Sequence, residues 1–119
     1  IITGVFEESE KIKLYSAMDM FIFPSLAEGF GIVLIEAMLC ELPIICSDIP
    51  VLKEVAGDTV VYFNTSDYLD LSKQMDEVYK KIVDKTYTSY NAKQLIIDKY
   101  SMEKFIMNYI NLYTKLLTK

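Results

Sequence analysis

The sequence predicts an α/β fold, a partial doubly wound parallel sheet with helices on both faces. Three observations carry it: continuous apolar runs at residues 20–23, 43–46 and 60–63, helical periodicity between and after them, and Pro, Gly, Ser or Asp at the junctions. Strands covered on both faces read as unbroken apolar runs, whereas a sheet with one wet face would alternate.

The elements follow in order. Residues 8–18 place Ile12, Tyr15 and Met18 at helical spacing, and the run 20–23, stopped by Pro24, reads as a buried strand. After a turn over 25–29, residues 30–39 put Ile32, Ile35, Ala37, Met38 and Leu39 on a nearly all-round apolar helix, which needs a sheet to pack on. The run 43–46, bounded by Pro43 and by Ser47-Asp48, is a second strand, and 60–63 a third. Between them, 51–55 has room for one or two turns, opened by Pro50 at a favoured first helical position. Onward from Ser66, a candidate cap, Tyr68, Leu71, Met75, Val78, Tyr79 and Ile82 form one helical stripe. A further helix is expected over 90–99. A last amphipathic one spans 102–117, capped by Ser101, with a wide apolar stripe from Met102 and Phe105 to Leu116 and Leu117. Residues 84–89 form a surface loop between helices.

A chain of 119 residues, 52% of them hydrophobic, can bury one core, so 1–119 is read as a single domain or part of one. Three strands under this many helices make an incomplete sheet. The absence of an initiator Met, with Ile1-Ile2 resembling the tail of a strand, places the missing strands before Ile1 and predicts a truncated chain. No internal repeat or low-complexity tract interrupts it.

Composition excludes several functions. A net charge of -5 with no Arg gives no cationic surface to replace counterions along a phosphate backbone, so nucleic acid is not an expected partner. No run of eighteen apolar residues predicts a transmembrane helix, and Glu7-Glu8 follows too soon after Ile1-Ile2 for a signal peptide. Cys40 and Cys46 fall in apolar patterns with no His to complete a metal site, and read as two reduced, buried thiols of a cytoplasmic protein. No cofactor or metal is expected.

The chemistry concentrates at residues 24–36. In open α/β sheets ligands bind beyond the carboxyl ends of strands, and here the loop after the first strand carries Gly29 and Gly31 just before the apolar helix. Unpaired amides and the positive end of the helix dipole favour an anion there, above all a phosphate. Glu28 stands in that loop, and Glu36 lies about one and a half turns into a helix otherwise almost wholly apolar. A carboxylate in such a place needs a partner. A ribose would supply two hydroxyls to Glu36, a hexose more to Glu28, and a diphosphate would sit at the amides between them: a sugar nucleotide. Two alternatives stand beside this. The loop can be an ordinary strand-to-helix turn, and Glu36 can face solvent or pair with a Lys from a missing segment.

Pro24-Ser25, Glu28-Gly29-Phe30-Gly31, Glu36-Ala37-Met38, Pro43-Ile44-Ile45 and Glu54-Val55, in register, resemble the donor-binding lobe of the retaining glycosyltransferases of family four (glycosyl transferases group 1). The resemblance runs from about Gly4 to Phe63 and implies the C-terminal, Rossmann-like lobe of the two-lobed GT-B fold. It implies that Glu28 contacts the transferred sugar as the catalytic residue. Gly29, Phe30, Gly31, Ile32 and Val33 would bind the donor through their amides, and Glu36 the ribose. It further implies sugar transfer from a nucleotide-diphosphate sugar to a hydroxyl acceptor, a saccharide or lipid-linked glycan, with retention and no metal. Localisation would be cytoplasmic or peripheral at the inner face of the membrane. Residues 101–119 would pack on the missing lobe, so that the chain alone is prone to self-association, and with the base pocket, the cationic phosphate ligands and the acceptor surface expected outside these residues it would by itself be inactive. Two departures are visible. Glu41 stands where the family often has a helix-closing Gly, and the family's phosphate-binding Arg and Lys fall upstream of Gly4. A sugar-nucleotide epimerase of the same architecture and a non-catalytic doubly wound binding module are the other readings.

Overall fold

A computed structural model of the chain describes residues 4–118; the strand tail expected at Ile1-Ile2 lies outside them. Three strands, β1 (Phe21–Phe23), β2 (Ile44–Ser47) and β3 (Val61–Phe63), form one parallel sheet in the order β1-β2-β3. Phe21 pairs with Ile44 and Phe23 with Cys46, and Ile45 pairs with Val61 and Ser47 with Phe63. The helices are α1 (Lys11–Ser16), α2 (Ile32–Leu39), α3 (Pro50–Ala56), α4 (Tyr68–Val83), α5 (Tyr90–Tyr100) and α6 (Met102–Leu117), with a 3-10 turn over Glu8–Glu10 leading into α1.

The period of two along β2 divides the core. Ile44 and Cys46 join Leu34, Met38, Leu52, Val55 and Ile96 from α2, α3 and α5 on one face. Ile45 joins Phe63 and Val78, bringing α4 to the other. Both faces are therefore covered, as the unbroken apolar runs require. Leu34, Met38, Ile44, Ile45 and Leu52 are fully buried, each contributing about 1.5–3 kcal/mol by leaving water.

Several details differ from the sequence expectation, each for a local reason. Helix α2 begins at Ile32 because Gly31, its N-cap, is left-handed with φ +85°, so Phe30 stays in the loop. Ile12 is 71% exposed, since a helix as short as α1 turns only Tyr15 fully inward. On α4 the buried stripe shrinks to Val78, with Leu71 and Ile82 beside it, while Tyr68 and Tyr79 are exposed. Ser66 does not cap α4: its φ of +68° is outside the extended range a cap needs. Asp67 caps instead, accepting from the amides of Leu69 and Asp70 at 3.0 Å each. Ser101 does cap α6. Cys46 is buried, which pushes its thiol up to about 12, whereas Cys40 is only half-buried; both are free.

Glu41 takes the left-handed conformation that closes α2, with φ +58°. Its amide donates to Met38 O at 3.1 Å and that of Leu42 to Ala37 O at 3.3 Å, the paired bonds of a Schellman motif ordinarily built on Gly. Lys93 Nζ on its carboxylate at 3.0 Å and Ser89 Oγ on its carbonyl at 2.6 Å tie this corner to the start of α5.

Candidate functional site

Strand β1 ends at Phe23, and the chain runs through residues 24–31 across the carboxyl edge of the sheet before entering α2. A left-handed residue is needed to make that entry, and Gly31 supplies it. It also sits where no side chain fits: a Cβ at this position would lie 2.9 Å from Leu52 Cδ2 of the buried α3. Gly29 differs, with no positive φ and nothing within 4 Å of a built Cβ, so its α-carbon faces open space over the loop. The two glycines thus serve different ends, one the backbone turn and the other an unobstructed approach to the main chain.

No side chain caps α2. Gly31 O accepts from the amides of Leu34 and Ile35, but the amides of Phe30, Gly31, Ile32 and Val33 have no protein acceptor among the described residues. Four free backbone donors at the positive end of a helix dipole favour an anion. Ile32 and Val33, read from the sequence as part of an apolar helix, are exposed here and line a cavity instead.

The two acidic residues are held differently. Glu28 is half-buried in the loop, and its Oε1 accepts from Ser25 Oγ at 2.6 Å, leaving Oε2 without a protein partner among the described residues. Glu36 is engaged at both oxygens: Lys11 Nζ donates to Oε1 at 2.9 Å and Tyr15 O–H to Oε2 at 2.9 Å. Lys11 also pairs with Glu8 at 2.7 Å, so one ammonium bridges two carboxylates. These hydrogen bonds, first from Glu8 and then from Glu36, raise the Lys11 pKa. Burial first, and the bond to Glu36 second, raise that of Tyr15, which stays a protonated donor at neutral pH. The partner required by a carboxylate on this helix is therefore within the chain, not the Lys of a missing segment that the sequence reading offers, though a carboxylate retains lone pairs beyond the two in use. Lys11 and Tyr15 were not legible as site residues. Their only signal was an i, i+4 spacing, which any helix presents.

A cavity of about 440 Å³ opens beside Glu36, walled by Phe6, Leu14, Tyr15, Phe21, Ile32 and Val33, with Lys11 its cation. Mostly apolar walls with a few convergent polar groups are the ordinary composition of a small-molecule site. On the far side of the loop, Phe30 meets the edge of Tyr100 at a centroid distance of 5.3 Å, tying the loop to the end of α5. Residues 28–33 and Glu36, all picked out from the sequence, thus lie along one loop and the first turns of one helix. No group of three or more His, Cys, Asp or Glu side chains that could hold a metal occurs among the described residues. None of their helices is long and apolar enough to cross a membrane.

Residues 1–95 match the family described as Glycosyl transferases group 1. The serotype-specific mannosyltransferase WbdA of Escherichia coli is 39% identical over 77 residues, 65% of this chain and 9% of that protein. The O-antigen chain mannosyltransferase RfbU of Salmonella typhimurium is 48% identical over 54 residues, 45% of this chain and 15% of that one. Among solved structures, sucrose-phosphate synthase from Thermosynechococcus elongatus superposes with a TM-score of 0.84 at 22% identity, covering 99% of this chain and 30% of the synthase. TarM superposes over 85% of this chain and 21% of its own, with a TM-score of 0.72 at 22% identity. The chain thus spans less than a third of each of these proteins, and the two superpositions establish the GT-B lobe fold.

Proposed function

Because the chain belongs to the glycosyl transferases group 1 family, we propose that the protein carrying it transfers a hexosyl group from a nucleotide-diphosphate sugar to a hydroxyl of a glycan, with retention at the anomeric carbon. The observation that carries this is the uncapped start of α2 lying between Glu28 and Glu36, beside an apolar cavity. The diphosphate takes the amides of residues 30–33 and the ribose hydroxyls take the free lone pairs of Glu36. The base enters the cavity walled by Phe6, Leu14 and Val33. The hexose extends from the diphosphate over Gly29 to Glu28, whose Oε2 is open to its hydroxyls.

During transfer the bond from the anomeric carbon to the diphosphate breaks and the diphosphate leaves with the electron pair. The acceptor hydroxyl oxygen then bonds to the anomeric carbon on the same face, and its proton passes to the departing diphosphate oxygen. Charge accumulates on the leaving oxygens, where helix amides fixed in advance stabilise it without reorganisation, so no metal is required of this half of the site. The names of the relatives, two mannosyltransferases of which RfbU is said to act on an O-antigen chain, favour mannose as the sugar and a saccharide or lipid-linked glycan as acceptor.

Helix α6 belongs to the same proposal. None of its described residues is buried, and Phe105, Ile106, Ile110, Tyr113 and Leu116 stay about half exposed along it. In a two-lobed enzyme that stripe packs on the other lobe, and in this chain alone it drives self-association.

The test supplies the purified protein with labelled guanosine- and uridine-diphosphate hexoses and a lipid-linked glycan, reading label in the glycan and the anomeric configuration by NMR. Transfer with retention, lowered in Glu28→Gln, supports the proposal. Donor consumed without acceptor, or a variant as fast as the parent, removes it.

A further inference from the structure

Glu36 carries two protein partners that nothing in the donor chemistry demands, and the geometry points to a role for them: we infer that Tyr15 and Lys11 are positioning residues that aim the Glu36 carboxylate at the two ribose hydroxyls. The inference rests on the ribose reading of Glu36 given above. A glutamate has three rotatable side-chain bonds, and one whose head is free must lose that freedom each time it binds a diol. Here the loss has been met in advance. Tyr15 is 6% exposed, its ring is packed at 6.0 Å from that of Phe21, and its hydroxyl reaches Oε2 at 2.9 Å. Oε1 is fixed by Lys11 at 2.9 Å, itself anchored by Glu8 at 2.7 Å.

With the two oxygens pinned by different residues on one short helix, the plane of the carboxylate is set, and so is the direction of its unused lone pairs. A carboxylate offers about four acceptor sites. Two are used by Tyr15 and Lys11, and the remaining two match the pair of vicinal hydroxyls of a ribose. The two residues act on the hydroxyls through Glu36, and since both also line the cavity that takes the base, their positioning role is read from the ratio of ribose to dideoxy affinity.

That distinction gives the experiment. In the intact protein, dissociation constants of guanosine and uridine diphosphate and of their 2′,3′-dideoxy counterparts are measured by calorimetry for the parent, Tyr15→Phe and Lys11→Met. The parent should prefer the ribose form of its own nucleotide by roughly tenfold or more, the scale of charge-assisted hydrogen bonds. In Tyr15→Phe and in Lys11→Met that preference should shrink about three- to tenfold, over and above any factor common to the ribose and dideoxy forms. Tyr15→Phe keeps the buried ring and changes only the hydroxyl, and circular dichroism checks that it folds. A merely structural role would lower the melting temperature or weaken both nucleotide forms by one factor, leaving the ratio intact, which overturns the inference. A parent with no ribose preference overturns the ribose reading of Glu36 and the inference with it. A parent preference that both variants keep in full overturns the inference alone.

Discussion

Gly31→Ala should destabilise the chain by about 2–3 kcal/mol, and the two parts of that figure can be separated. The residue has φ +85° and ψ 47°, and placing an L side chain in this left-handed region costs about 1–2 kcal/mol. The added Cβ would lie 2.9 Å from Leu52 Cδ2, about 1 Å inside a comfortable carbon contact. The atom it strikes is the end of a fully buried leucine, which can yield by turning, so the overpacking term belongs near the lower end of the usual range, about 1 kcal/mol. Urea unfolding followed by circular dichroism measures the sum. With a slope of roughly 1–2 kcal/mol per molar for a chain this size, the midpoint should fall by about 1–3 M. Introduced into a Leu52→Ala background, the same substitution should cost only the backbone part, and the difference is the contact. Gly29→Ala is the control, expected within about 0.5 kcal/mol of the parent because its Cβ meets nothing and its φ is not left-handed. Equal losses for Gly29→Ala and Gly31→Ala, or no coupling to Leu52, would refute the assignment of the turn to Gly31.

Other expectations follow from the same geometry. Glu28→Gln should lower turnover about 10- to 100-fold with little change in nucleotide affinity, measured as kcat against the dissociation constant of the diphosphate, because Glu28 meets the sugar and not the nucleotide. Glu41→Gly should be about 1 kcal/mol more stable than Glu41→Ala by urea unfolding; both lose the Lys93 ion pair, so the difference isolates the left-handed backbone. Hydrogen bonds from the Thr65 hydroxyl and amide hold the Asp48 carboxyl below its usual range. A folded pKa below the unfolded one gives stability that is present above about pH 4 and lost as pH falls through the folded value, so Asp48→Asn should flatten acid unfolding in that window. Sedimentation of the 119-residue chain should show concentration-dependent association that Phe105→Glu with Ile110→Glu suppresses; a parent that stays monomeric would count against the exposed stripe of α6 as a docking face.

Sequence by itself determined the element order and the parallel sheet, and singled out residues 28–36 as the candidate site. Runs such as Ile44-Ile45-Cys46, short and bounded by Pro43 and Ser47-Asp48, read as strands covered on both sides, and a pair of glycines between a strand and an apolar helix, flanked by Glu28 and Glu36, marks a candidate anion site because helix amides are free wherever a helix starts. What it could not determine were facts that depend on which side of an element meets a neighbour. Periodicity marks Ile12, Tyr68 and Ile32 as core candidates, yet whether each is buried depends on how far the covering element extends. The short α1, the narrow three-stranded sheet under α4 and the open cavity beside α2 leave all three exposed. The division of labour between Gly29 and Gly31 required the position of Leu52, 21 residues beyond Gly31. The partners of Glu36 required it still more. Tyr15 and Lys11 lie 21 and 25 positions away, and no local pattern encodes a contact that exists only once α1 packs beside α2. Local chemistry is written in neighbouring residues, whereas a hydrogen bond between distant ones is decided by packing, which belongs to the whole chain at once.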